Sequence, residues 1–134
     1  MQLLHKREDY AFLFMREMAL DARSYVSIDQ FARRHHIAAS TVKQCAQALS
    51  KSGLIKGREG SRGGYQLTRS ADQITFQDII SSVGGVVEMS ACEKDGHACR
   101  LGNTECAFKQ SWSGISNHIN DLLAHKTLAD LVSA

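Results

Sequence analysis

The sequence predicts a mainly α-helical chain with one small β-hairpin, and three observations support this. Apolar residues recur at helical spacing in separate stretches, each preceded by a residue suited to start a helix. The stretch from Ser27 to Leu67 reads as helix, tight turn, helix and two short strands joined by a glycine-rich tip. Near the end of the chain Phe108, Trp112, Ile115, Ile119 and Leu122 step by 4, 3, 4 and 3 residues, the seam of a helix that packs on another helix. Together they predict a winged helix-turn-helix over residues 1–85, a cysteine-bearing loop over 86–107, and a dimerisation helix with a short C-terminal helix over 108–134.

The first helix is expected from Glu8 to about Leu20, because Ala11, Phe14, Met15 and Met18 share one face, with Tyr10 and Leu13 widening the stripe. Glu8 and Asp9 fall in its first turn, where negative charge meets the positive end of the helix dipole. Val26 to Ile28 is expected to add a short strand. Ser27 and Gln30 have capping-box spacing, so a second helix begins at Ile28 and ends near His35 or His36. Ser40 is the expected cap of a third helix, whose apolar face is Val42, Cys45, Ala46 and Leu49 and which stops at Gly53. The opposite face carries Thr41, Lys43, Gln44 and Gln47, donors and acceptors long enough to reach base edges in a major groove. Cys45 is on the inner face and reads as a packed thiol.

Leu54-Ile55 and Tyr65-Gln66-Leu67 are the two strand runs. Between them Lys56, Arg58 and Arg62 punctuate a tip rich in glycine, and a basic tip directly after a helix-turn-helix pattern is aimed at phosphate or a minor groove. The candidate nucleic-acid contacts are therefore Ser40, Thr41, Lys43 and Gln44 on the helix, and Arg58, Ser61, Arg62 and Tyr65 on the wing. Thr75 with Asp78 opens a helix through Ile79, Ile80 and Val83 that ends at Gly84-Gly85; Thr127 with Asp130 opens a terminal one from Leu128 to Val132.

Charge follows the same division. The 134 residues carry a net charge of +2, but up to Thr75 there are twelve Lys and Arg against seven Asp and Glu, and from Phe76 onward four against seven. A basic first half suits a surface laid on double-stranded DNA, and a helix-turn-helix protein usually reads a palindromic operator as a homodimer. Hydrophobic content of 43% and charged content of 22% are globular values. With no long apolar run and no signal-peptide pattern, a cytoplasmic protein without a membrane partner is expected. No nucleophile, base and orienting group can be assembled from these motifs, so neither an enzyme nor a small-molecule substrate is expected.

Cys92, Cys99 and Cys106 are spaced C-x6-C-x6-C between two helices. In a reducing compartment three such thiols do not suggest a disulfide framework. Soft thiolates gathered on one loop suit an iron-sulfur cluster (2Fe-2S or 4Fe-4S) or a zinc ion, and the six-residue gaps fit the larger group better than the short pairs typical of zinc. His97 would complete a Cys3His zinc site, and a bare thiol switch is the third alternative.

The whole chain resembles the bacterial iron-sulfur winged-helix regulators of the IscR, NsrR and RirA type. The resemblance rests on Met1-Gln2-Leu3 leading into Tyr10-Ala11, the Ser40 to Leu49 helix, Leu54-Ile55, Gly60-x-x-Gly63-Gly64-Tyr65-x-Leu67, the Ile74 to Val83 helix, the three cysteines and the long final helix. It implies sequence-specific DNA binding, usually repression, governed by a cluster on Cys92, Cys99 and Cys106. Lys109 stands where the IscR branch has a histidine ligand three residues after the last cysteine. Asp9 matches, with one residue of length difference, the carboxylate that the other subunit supplies in the NsrR branch, and Glu8 is its neighbour. The expectation is a homodimeric repressor sensing redox state, nitric oxide or iron. A zinc-bound or bare-thiol regulator is the alternative, followed by an iron-sulfur carrier that does not bind DNA.

Overall fold

A computed structural model describes residues 6–87 and 106–134. Within them α1 (Lys6–Leu20), α2 (Ile28–His35) and α3 (Ala39–Lys51) lead into the hairpin β1 (Ile55–Arg58) and β2 (Gly64–Leu67). A single 3-10 turn at Ala71–Gln73 precedes α4 (Phe76–Ser82), and α5 (Ala107–His125) and α6 (Leu128–Ser133) follow the segment that is not described. The strands are antiparallel, with Ile55 opposite Leu67 and Arg58 opposite Gly64.

One core unites these elements. The inner stripe of α1, Ala11, Phe14, Met15 and Met18, meets Phe31 of α2, Val42 and Leu49 of α3, Ile55 of β1, Ile79 of α4 and Leu128 of α6. Phe14 stands edge-on to Phe31 with centroids 5.0 Å apart, an arrangement that adds to the area buried. The terminal helix joins this core because residues 74–76 and 126–128 pair backbone to backbone. Phe76 N–H donates to Lys126 O and Leu128 N–H to Ile74 O, each at 2.8 Å.

Helix starts divide into those fixed locally and those fixed by packing. Thr75 and Asp78 form the expected box, Asp78 N–H donating to Thr75 Oγ1 at 3.1 Å and Thr75 N–H to Asp78 Oδ2 at 3.0 Å. At Thr127 the amide and hydroxyl both donate to Asp130 Oδ2, at 2.8 and 3.2 Å. Ser27 is the N-cap of α2 but makes no side-chain capping bond, so the expected Ser27–Gln30 box is not formed. Val26 is held across β2 by Tyr65, each N–H donating to the other's carbonyl at 2.9 Å, and that pairing sets the entry into α2.

The cap of α3 is Ala38 rather than Ser40. His36 takes a left-handed conformation (φ 55°) and Ile37 N–H returns to Ala32 O, closing the turn so tightly that the helix starts at Ala39. Ser40 consequently lies exposed in the first turn. On α1, Leu13 is exposed rather than part of the buried stripe, whereas Glu8 is buried.

Candidate nucleic-acid interface and sensor segment

Burial sorts the two faces of α3. Val42, Cys45, Ala46 and Leu49 are buried, Ser40, Lys43, Gln44 and Gln47 are exposed, and Thr41 is half-buried. A helix seated this way offers one uninterrupted polar face to a groove while its other face fixes the angle of presentation. Cys45 belongs to the seating: its Sγ–H donates to Arg7 O at 3.7 Å, and burial, with Glu8 adding and Arg7 opposing, pushes the thiol above its ordinary value.

The cationic residues of α2 are largely engaged. Arg34 pairs with Glu17, His35 Nε2 lies 3.3 Å from Glu17 Oε2 with its ring 4.3 Å from that of Phe31, and Arg33 Nε donates to Asp29 O. The contacts to Glu17 tie α2 to α1 and, with the others, leave the basic character of the face to Lys43 and the wing.

The wing depends on close approach. A Cβ on Gly64 (φ 148°) would lie 2.5 Å from Val26 O, and one on Gly63 would lie 2.2 Å from Arg58 O, so neither position admits a side chain without movement of backbone. Arg58, Ser61 and Arg62 are exposed at the tip. Tyr65 is placed differently from the other candidate contacts: it is half-buried, with its ring edge-on to Phe14 at 6.1 Å and 3.2 Å from where a Gly57 Cβ would stand. Arg58 is ordered by two partners, since Nη2–H donates to Arg62 O at 3.1 Å and the guanidinium lies 4.5 Å from the centre of the Tyr25 ring. Tyr25 was not among the residues singled out from the sequence. The pairing of Val26 with Tyr65 brings it there from 33 positions away, and the one local signal is an aromatic next to a predicted strand.

Of the candidate metal ligands, Cys92, Cys99 and His97 lie outside the described residues. Cys106 is the N-cap of α5, half-buried and with a free thiol. Among the described residues no three His, Cys, Asp or Glu side chains converge as a metal site. Lys109 is exposed one turn into α5. Glu8 is only 4% exposed, and its Oε1 lies 2.8 Å from where a Gly85 Cβ would stand. Asp9 is exposed and borders a groove of about 410 Å³ lined by Phe12, Leu13, Arg16, Phe76 and Leu123.

On α5 the seam residues separate into two rows. Phe108, Ile115 and Leu122, seven residues apart, are 58%, 44% and 59% exposed, while Trp112 and Ile119 are half-buried and Ser116 is buried. The sequence profile of the Rrf2 family, described as iron-dependent transcriptional regulators, matches residues 4–134. This chain belongs to the Rrf2 family.

Its relatives place it further among transcription regulators. It is 31% identical to the HTH-type transcriptional regulator IscR of Cronobacter sakazakii, over 92% of this chain and 76% of that protein, and 32% identical to IscR of Erwinia tasmaniensis over 92% and 74%. The structure of CymR, the global cysteine regulator of B. subtilis, superposes with a TM-score of 0.82 at 26% identity, covering 99% of this chain and 98% of that one. IscR of T. potens does so at 0.77 and 25%, covering 97% and 85%. The mainly helical winged fold with a long C-terminal helix is thus that of Rrf2 regulators, and its relatives are named as HTH-type transcriptional regulators. Among the described residues no helix of this Rrf2 protein is long and apolar enough to cross a membrane.

Proposed function

We infer that this Rrf2 regulator acts as a homodimeric repressor of a palindromic operator, its DNA affinity set by an iron-sulfur cluster on Cys92, Cys99 and Cys106. The observation that carries this is the position of Cys106: a half-buried free thiol that caps the helix bearing the exposed Phe108, Ile115 and Leu122 row. A ligand there joins the sensor segment directly to the surface on which a second copy would pack. Three soft thiolates suit cluster iron, and the helix N-terminus beside Cys106 has no acidic residue in its first turn to repel an anionic group. The similarity to IscR and the family's description as iron-dependent add to this.

Asp9 of the partner subunit is the favoured fourth donor, because Asp9 is exposed on α1 while Glu8 is buried within its own chain. His97 remains the donor to compare. When bound, a cluster supplies ligation that oxidation or nitric oxide can break. The chain's part is to hold residues 86–107 as the sensor, residues 1–85 as the reader of DNA, and α5 with α6 as the support between two copies. Ser40, Thr41, Lys43 and Gln44 would meet the major groove, with Arg58, Ser61 and Arg62 on the flanking backbone, and Tyr65 supporting the wing from beneath.

A thiol-only or zinc-bound regulator is the second reading, favoured by the close superposition on the B. subtilis global cysteine regulator. An iron-sulfur carrier leaves the polar face of α3 and the built wing without a purpose. The deciding experiment is the visible spectrum of protein purified without oxygen, with iron, sulfide and zinc counted per chain. Visible absorption with iron and sulfide in equal amounts is expected. Colourless protein holding zinc, or no metal, would overturn the cluster.

A further inference from the structure

Arg58 ends β1 opposite Gly64, at the base of the wing tip, and its side chain is exposed. A long cation in that position ordinarily samples many rotamers, and each must be given up when it grips a phosphate. Here two contacts already restrict it. One N–H donates to Arg62 O across the tip, and Cζ lies over the Tyr25 ring, 4.5 Å from its centroid. Among the described residues the other N–H groups of the guanidinium have no protein partner, so the remaining side of the fork is available.

The backbone that carries the ring is itself held. Tyr25 immediately precedes Val26, whose N–H and C=O both pair with Tyr65 at 2.9 Å. Gln66 Nε2–H donates to Ala22 O from the same strand, so the α1–α2 loop is fastened to β2 on both sides of Tyr25. Gly64 is required at this place by the approach of Val26 O, which puts the loop and the wing in one rigid unit.

We propose that Tyr25 is a positioning residue for DNA binding: its ring, stacked on Arg58, pre-orders the wing arginine for a phosphate of the DNA backbone. This rests on the proposed wing contact and adds to it a residue distant in sequence, in the loop between α1 and α2. A guanidinium suits the role because it is planar and stacks on an aromatic face while still presenting donors at its edge. Tyr25 does not touch DNA in this scheme; it acts through Arg58.

The test is a double-mutant cycle on the full chain, purified without oxygen, using a duplex recovered by in vitro selection with the parent protein. An exposed cation–π contact corresponds to about a two- to fivefold change in Kd, so Tyr25→Leu should weaken binding by that factor while Tyr25→Phe stays within about twofold of the parent. Arg58→Ala should weaken it more and lower the salt slope by about one unit. The double variant Tyr25→Leu, Arg58→Ala should bind no worse than Arg58→Ala alone. In the free parent protein the Arg58 side-chain protons should show upfield ring-current shifts, a measurement that does not depend on any variant folding. Unshifted protons, undiminished binding by Tyr25→Leu, or additive losses in the double variant each overturn the positioning role. If Arg58→Ala binds like the parent, the wing contact falls with it; if Arg58→Ala is weakened and Tyr25→Leu is not, the wing contact stands and the positioning role alone is wrong.

Discussion

Ile115 is the centre of the exposed row on α5, and replacing it with Asp separates assembly from folding. The side chain is 44% exposed in the protomer. Complete burial of an isoleucine is worth about 1.5–3 kcal/mol, so the part still uncovered represents roughly 1 kcal/mol per protomer and ~2 kcal/mol in a two-fold dimer. An Asp there would face its symmetry mate across the seam, and desolvating two carboxylates against each other adds several kcal/mol. The combined loss of at least ~4 kcal/mol corresponds to about a thousandfold rise in the dimer dissociation constant. The protomer should lose about 1 kcal/mol, the share of the isoleucine already covered within its own chain, and remain folded, because Asp and Ile have similar helix propensities. Sedimentation equilibrium over a concentration series, with thermal unfolding in parallel, should therefore show a folded monomer. A folded dimer with the parent's dissociation constant would refute the assignment of this row to the interface. Ile119→Asp should cost the protomer more, since Ile119 is less exposed than Ile115 in its own chain.

Lys43→Ala or Gln44→Ala should alter base preference at a cost of about 1–3 kcal/mol for the preferred base, whereas Arg62→Ala should weaken all duplexes alike and lower the salt slope by about one unit; competition binding with randomised duplexes distinguishes them. Cys92→Ala, Cys99→Ala and Cys106→Ala should each abolish or gravely reduce iron retention, and Asp9→Ala should leave a chromophore that decays faster in air; metal counts and anaerobic spectra read both. Gly64→Ala should destabilise the fold by about 1–3 kcal/mol, through the approach of Val26 O and the positive φ, and urea unfolding measures it. Cys45 gives a pH signature. Its folded thiol titrates above the ordinary 9.0, chiefly through burial, so the unfolded chain loses that proton first and stability falls as pH rises past about 9. Cys45→Val should flatten that limb of a urea-midpoint profile.

What was legible in the chain were features set by neighbours in sequence. Thr75 and Asp78 are three residues apart and make their box with no help from elsewhere; the apolar spacing of α3 alone determines that Val42 and Leu49 face inward. Where a distant element competes, local signals lose. Ser27 has the right side chain to cap α2, but the pairing of Val26 with Tyr65 fixes the chain's entry, and Ser27 caps with backbone only. Ser40 has a better capping side chain than Ala38, yet the left-handed His36 and the return of Ile37 to Ala32 start the helix earlier. Leu13 fits the stripe of α1 by spacing but borders the groove beside Phe76 and Leu123, a boundary no periodicity reports. The contact of Arg58 with Tyr25, 33 positions away, depends on the pairing of Val26 with Tyr65 and has no signature in either residue's surroundings.

The two ends of the sensor segment meet different parts of the molecule, and this gives the proposed switch its lever. At one end Gly85 N–H donates to Ile80 O at 2.9 Å, and the buried Glu8 carboxylate closes on the glycine so tightly that a Cβ would touch it. Glu8 adjoins Arg7, whose carbonyl accepts the Cys45 thiol of α3, so the exit from α4 is three contacts from the recognition helix. At the other end Cys106 caps α5, whose outward row is the proposed dimer seam. A palindromic operator measures the separation and tilt of two recognition helices, and in a two-fold dimer both are set by where each α3 sits relative to its own α5. A cluster on Cys92, Cys99 and Cys106, if bound as proposed, would tie the segment between these two ends, one near α3 and the other on α5. Loss of that tie alters DNA affinity only by the difference in ligation free energy between the competent and incompetent arrangements. By the same linkage, operator DNA would change the stability of the proposed cluster by an equal factor.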